Sequence, residues 1–202
     1  VERPVSLIEM SGALIGKGKY RHFMDKEIHE QPEVIGYTLS AFYDPNSSCM
    51  KMPEFAFDPV SLPKLTIIAA GTSYFAGMIA KYWFEGIARL PVEVDIASEF
   101  RYRNTVLPEG GASLFISQSG ESLDTLMALR HAREKGQHII SLINVGESTI
   151  ARESDVVLKT LAGPEISVAS TKAFTTQLTV LLCLAVDWAQ KRNFLNEKRA
   201  LE

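Results

Sequence analysis

Between residues 65 and 161 five short apolar runs alternate with segments of helical character, and this alternation constrains the fold more than any other feature. LTIIAA (65–70) precedes TSYFAGMIAKYWFEGIARL (72–90), and VEVDIA (92–97) precedes a short EFRYRN segment. ASLFIS (112–117) precedes ESLDTLMALRHAREKG (121–136), and HIISLIN (138–144) precedes STIARESD (148–155). VVLKTL (156–161) leads through a loop into STKAFTTQLTVLLCLAVDWAQKRN (170–193). Continuous rather than alternating apolar runs mark strands covered on both faces. Strands that alternate with helices mark a parallel sheet. The expected fold is therefore α/β, a doubly wound five-stranded parallel sheet flanked by helices. Ligands in such sheets bind beyond the carboxyl ends of the strands, where the strand order reverses.

The chain ahead of this region reads differently. Residues 21–43 are helix-like, with apolar Phe23, Ile28, Val34, Ile35 and Leu39. Pro32 is expected to break them into two helices, because it lacks an N–H and clashes with the preceding turn. Residues 44–64, with Pro45, Asn46, Pro53, Pro59 and Pro63, read as a connection. Residues 1–20 carry Gly12, Gly16 and Gly18, show little periodicity, and read as an arm. The expected division is an arm with helices over 1–60 and the α/β domain over 61–202.

Hydrophobic residues make up 46% of the 202, enough for one sizeable core. The net charge is -3 and no Lys/Arg block occurs, which argues against a nucleic-acid partner. No apolar run reaches the roughly 18 residues of a membrane span. The most apolar stretch, Leu178 to Trp188, reads as a buried helix, with a partner surface as a second reading. The N-terminus lacks the basic-then-apolar order of a signal peptide, so a cytoplasmic location is expected. Cys49 and Cys183 are expected to be buried, reduced thiols. His22, His29, His131 and His138 have no metal-ligand spacing, so neither a metal nor a cofactor is expected.

Three turns rich in small polar residues follow apolar runs: GTS (71–73), SQSGES (117–122) and GPEISVASTK (163–172). In a doubly wound sheet the first and third strands are neighbours, so the first two turns are expected to share one cavity. SQSGES supports two readings. Its serines can cap a helix. They can also line a neutral phosphate cradle, in which free helix N–H groups and hydroxyls meet an anion and Gly120 lets the backbone come close. The Walker pattern GxxxxGK[ST] is absent, which argues against a nucleotide triphosphate. Glu121 reads as a first-turn acid or a partner for a substrate hydroxyl. Lys172 reads as a helix-start residue or a contact to the anion.

These turns also carry a resemblance. GTSYFAG, SQSGES with its following DT, and SVASTKAFTTQ resemble the sugar isomerase (SIS) family. Within it they are most similar to the isomerizing glutamine–fructose-6-phosphate aminotransferases. KGKYRHFMDKEIHEQPEVI resembles the segment that precedes the first SIS module of those enzymes and is the most specific part of the likeness. The resemblance runs from about residue 11 to 193. It implies a five-stranded parallel SIS fold that binds fructose 6-phosphate or glucosamine 6-phosphate, and an enzyme that acts as a homodimer without cofactor. The substrate-binding positions it implies are Thr72, Ser73, Ser117, Gln118, Ser119, Ser122, Val168 and Ser170. The family commonly has Thr where Ser122 stands, and the hydroxyl is kept. The family's glutaminase domain and second SIS module have no counterpart among these residues. They supply the glutaminase cysteine, the base glutamate, the Schiff-base lysine and the ring-opening histidine. The resemblance thus implies a binding module with no catalytic residues of its own and no turnover alone. The alternative is a non-catalytic SIS sugar-phosphate sensor.

Overall fold

The computed structural model describes residues 16–195, so the first fifteen residues of the expected arm lie outside the described part. Helix α1 (Phe23–Phe42) leads into a small antiparallel hairpin, β1 (Tyr43–Asp44) and β2 (Cys49–Met50). Then β3 (Leu65–Ala69), α2 (Gly71–Ile87), β4 (Val92–Ile96), α3 (Ala97–Phe100), β5 (Ala112–Ser117) and α4 (Leu123–Glu134) alternate. The alternation continues through β6 (His138–Ile143), α5 (Thr149–Arg152), β7 (Val156–Lys159) and α6 (Lys172–Lys191).

The five long strands form one parallel sheet in the order β4-β3-β5-β6-β7. Every residue of β3 and of β5 is buried, because successive side chains enter opposite cores. On one face Leu65, Ile67, Leu114 and Ile116 pack with Ala80 and Phe84 of α2 and Leu184 and Trp188 of α6. On the other Ile68, Phe115 and Ile139 pack with Phe100 of α3, Leu129 of α4 and Ile150 of α5. The continuous apolar runs are the trace of these two cores.

Helix α1 is one helix, not two, with Pro32 inside it. The proline cannot donate to the carbonyl of Ile28, four residues back. The Gln31 side chain donates to that carbonyl instead, Nε2 to O at 3.1 Å, so the orphaned acceptor is satisfied without a break. The segment 44–64 is more than a connection. It holds the hairpin, and it delivers Phe55 and Phe57 edge-on to Trp188, with ring centroids 5.5 and 6.1 Å away.

Residues 178–188 lie mostly inside the module, with Val180, Leu181, Leu184 and Trp188 buried. The exposed apolar stripe is instead on α2, where Phe75, Met78, Ile79 and Tyr82 recur at helical spacing. Of the two cysteines only Cys183 is buried, and burial pushes its thiol up to about 11. Cys49 is exposed, because the two-residue strand that carries it lies at the surface. Among the described residues no helix is long and apolar enough to cross a membrane. Nor could any group of three or more His, Cys, Asp or Glu hold a metal ion.

Candidate functional site at the switch point

The strand order reverses between β3 and β5, which run side by side with Ala69 level with Ile116. The two turns that follow them, 71–73 and 117–122, therefore leave the same edge of the sheet. Thr72 and Ser73 occupy the first turn of α2, whose N-cap is Ala70 and which no side chain among the described residues caps. Ser122 is the N-cap of α4, which starts two residues later than expected. Its hydroxyl caps nothing and instead accepts a hydrogen bond from Thr125 Oγ1 at 3.1 Å. The first N–H groups of both helices thus keep their partial positive charge without a side-chain acceptor.

The other serines of the second turn are braced by the turn itself. Ser117 Oγ accepts from the Gly120 N–H at 3.0 Å, and Ser119 Oγ accepts from the Glu121 N–H at 3.2 Å. Each hydroxyl spends a lone pair on the loop and keeps its proton to give away. Gln118 is half-buried, and its carbonyl accepts from Asn144 N at 3.2 Å. Glu121 lies ahead of α4 rather than in its first turn. Its carboxylate accepts from Thr149 N at 2.7 Å and so caps α5, with Ser148 as the second cap. The Thr149 N–H holds the Glu121 carboxyl below its usual range.

The third loop, 163–171, is held by acids. Glu165 accepts from Ser170 Oγ at 3.1 Å, Thr171 N at 2.9 Å and Ala173 N at 3.2 Å, which caps α6. Val168 lies fully exposed at the apex. Lys172 is buried beneath the third loop, its amine close to Gly163, and pairs with Glu30 at 2.8 Å. Of the longer helices that leave this edge, α6 is capped by a protein carboxylate, whereas α2 and α4 at the switch point are not. The single-turn α3 is likewise uncapped.

Two residues that the sequence does not single out tie the three turns together. Asn144 bridges the second and third, because its Nδ2 donates to the Gly163 carbonyl at 2.8 Å while its N–H holds Gln118. Gln177 of α6 donates from Nε2 to Ser73 Oγ at 3.0 Å. Asn144 stands at the carboxyl end of β6, a position that could have drawn notice. Gln177 closes the SVASTKAFTTQ stretch that carries the resemblance, and the packing of α6 on α2 shows its use.

The sequence model of the SIS domain family matches residues 61–187. The chain belongs to the SIS domain family. It is 52% identical over 199 residues to the glutamine–fructose-6-phosphate aminotransferase (isomerizing) of Gluconobacter oxydans, covering 98% of this chain and 33% of that protein. It is 54% identical over 198 residues to the Zymomonas mobilis enzyme of the same name, again covering 98% of this chain and 33% of that protein. This SIS module therefore spans about a third of the length of these curated relatives. Among solved structures it is similar to the C-terminal domain of glucosamine-fructose-6-phosphate aminotransferase from Francisella tularensis. The TM-score is 0.84 and the identity 41%, over 92% of this chain and 52% of that one. The SIS region of these aminotransferases is the part that the chain matches.

Proposed function

We propose that this SIS module binds fructose 6-phosphate, or glucosamine 6-phosphate as product, at the switch-point edge of its sheet. The observation that carries the reading is the pair of uncapped helix N-termini, α2 and α4, on adjacent strands and lined by hydroxyls. Helix ends of this kind bind anions through free N–H groups and the dipole. The phosphate rests on Thr72, Ser73, Ser117, Gln118, Ser119 and Ser122. Two carboxylates, Glu165 and Glu27, hold the third loop. That loop suits neutral sugar hydroxyls rather than a phosphate, and Val168 and Ser170 contact the sugar.

The names of the relatives supply the reaction. In this reading the module, residues 61–202 with 1–60 leading in, is the sugar-phosphate-binding part of an isomerizing aminotransferase. That enzyme makes glucosamine 6-phosphate and glutamate from fructose 6-phosphate and glutamine. It works in the cytoplasm as a homodimer, beside a second SIS module and a glutaminase domain. The acids and the lysine at the three turns are engaged elsewhere. Glu121 caps α5, Glu165 caps α6, and Lys172 pairs with Glu30. The module therefore binds and orients the sugar phosphate, and proton transfer falls to the rest of the enzyme.

Calorimetric titration of the 202-residue chain tests this. Fructose 6-phosphate is expected to bind and unphosphorylated fructose to give no measurable heat, with no glucosamine 6-phosphate formed when glutamine is added. Equal binding of the two sugars, or no binding of fructose 6-phosphate, contradicts the reading.

A further inference from the structure

Glu27 is the unexpected member of the site. It lies on α1, outside the family-matched residues 61–187, yet it is 2% exposed. A carboxylate is rarely so buried unless its lone pairs are occupied. Its partners come from the third loop, about 140 residues away. Oε1 accepts from Ile166 N at 2.7 Å and from Ser167 N at 3.1 Å, and Oε2 accepts from the Ser167 hydroxyl. One residue beyond Ser167 stands Val168, and Ser170 follows.

The same face of α1 grips the far foot of the loop. Glu30, one helical turn on, pairs at 2.8 Å with the buried Lys172. Higher up, Thr38 Oγ1 accepts from Leu161 N at 3.1 Å, just ahead of the loop. Helix α1 thus carries a row of acceptors, Glu27, Glu30 and Thr38, that together span residues 161–172. Within the loop Glu165 closes the remaining bonds to Ser170 and Thr171. The apex 168–170 is thus set between Glu27 at its start and Glu165 at its end, with the Ser167 hydroxyl also 3.0 Å from the Ala169 carbonyl.

We infer that Glu27 is a positioning residue for sugar recognition, acting through the backbone of residues 166–167 to set Val168 and Ser170 against the sugar hydroxyls. The inference rests on the sugar-phosphate reading above. It adds that α1 belongs to the site, and that losing its grip costs affinity for the sugar but not for the phosphate. The phosphate is held by α2 and α4, which Glu27 does not touch.

The test uses the 202-residue chain with Glu27→Ala and Glu27→Gln, each titrated with fructose 6-phosphate and with inorganic phosphate, alongside thermal melts. For Glu27→Ala the Kd for fructose 6-phosphate is expected to rise about tenfold, with inorganic phosphate changed less than about twofold. Glu27→Gln keeps one oxygen for the Ile166 N–H, and its affinity for the sugar phosphate should fall between wild type and alanine. It carries the test if the alanine variant does not fold. A purely structural role predicts a lower melting temperature with the ratio of the two affinities unchanged. That result, or unchanged affinity for fructose 6-phosphate, overturns the inference while leaving the sugar-phosphate site intact. A wild-type chain that binds neither ligand removes the site reading itself, and this inference with it.

Discussion

Gly120→Ala is expected to be the most damaging small substitution in this module. Gly120 lies at φ +66, between the strand-end Ser117 and the cap of α4. A side chain in the left-handed region costs about 1–2 kcal/mol. A Cβ there would also stand 2.0 Å from Ser148 Oγ and 2.5 Å from Ser148 Cβ. Ser148 is a cap of α5 and cannot retreat without giving up its bond to Ala151 N. Overpacking of this kind adds about 1–3 kcal/mol. The combined loss of about 2–5 kcal/mol should lower the melting temperature by roughly 5–15 °C in a chain of this size. Gly136→Ala separates the two causes. Gly136 has φ +73 but open space around its Cβ position, so only the backbone term of about 1–2 kcal/mol applies. Equal melting temperatures for the two variants would show that the contact with Ser148 is not close.

Ser122→Asp is expected to move stability and affinity in opposite directions. Aspartate is among the preferred N-cap residues, and its charge suits the positive end of a helix. Ser122 makes no capping bond, so aspartate can only gain one, and the melting temperature should hold or rise. A bound phosphate would meet the new carboxylate at close range. At ~5 Å and an effective dielectric of about 20, like charges repel by about 3 kcal/mol. Affinity for fructose 6-phosphate should therefore fall by about a hundredfold or more. An aspartate variant that melts higher and binds as wild type does would place the phosphate away from α4.

The sheet was legible because burial on both faces writes itself directly into apolar runs, as in Leu65–Ala69 and Ala112–Ser117. Each strand lies within one or two residues of its run. The positions of the turns followed from the strand order alone. What the sequence hid was hydrogen bonding between side chains and backbone. Pro32 breaks a helix by a local rule, and only the neighbouring Gln31 side chain, folded back on Ile28, explains why α1 continues. Glu121 reads as an acid for its own helix, yet it caps one that starts 28 residues later. Glu27 looks like any charged position in an amphipathic helix, because its partners Ile166 and Ser167 have no period in common with it. The hairpin at Tyr43–Met50 is too short for a periodic signal. Its turn is tightened by Asp44 accepting from Asn46 N at 3.0 Å and Ser47 Oγ at 2.9 Å.

The central claim is that the hydroxyls of the 117–122 turn hold a phosphate rather than merely shape a helix start. Ser119 tests it most directly, because it is exposed and, among the described residues, its oxygen braces only the Glu121 N–H of its own turn. Calorimetry of Ser119→Ala with fructose 6-phosphate, paired with a thermal melt, is the measurement. Loss of a hydrogen bond to a charged group is worth about 1.5–3 kcal/mol. The account therefore predicts an affinity about ten- to a hundredfold weaker, with the melting temperature little changed. An affinity equal to wild type, with stability lowered by the about 0.5–2 kcal/mol of a lost cap, would contradict it.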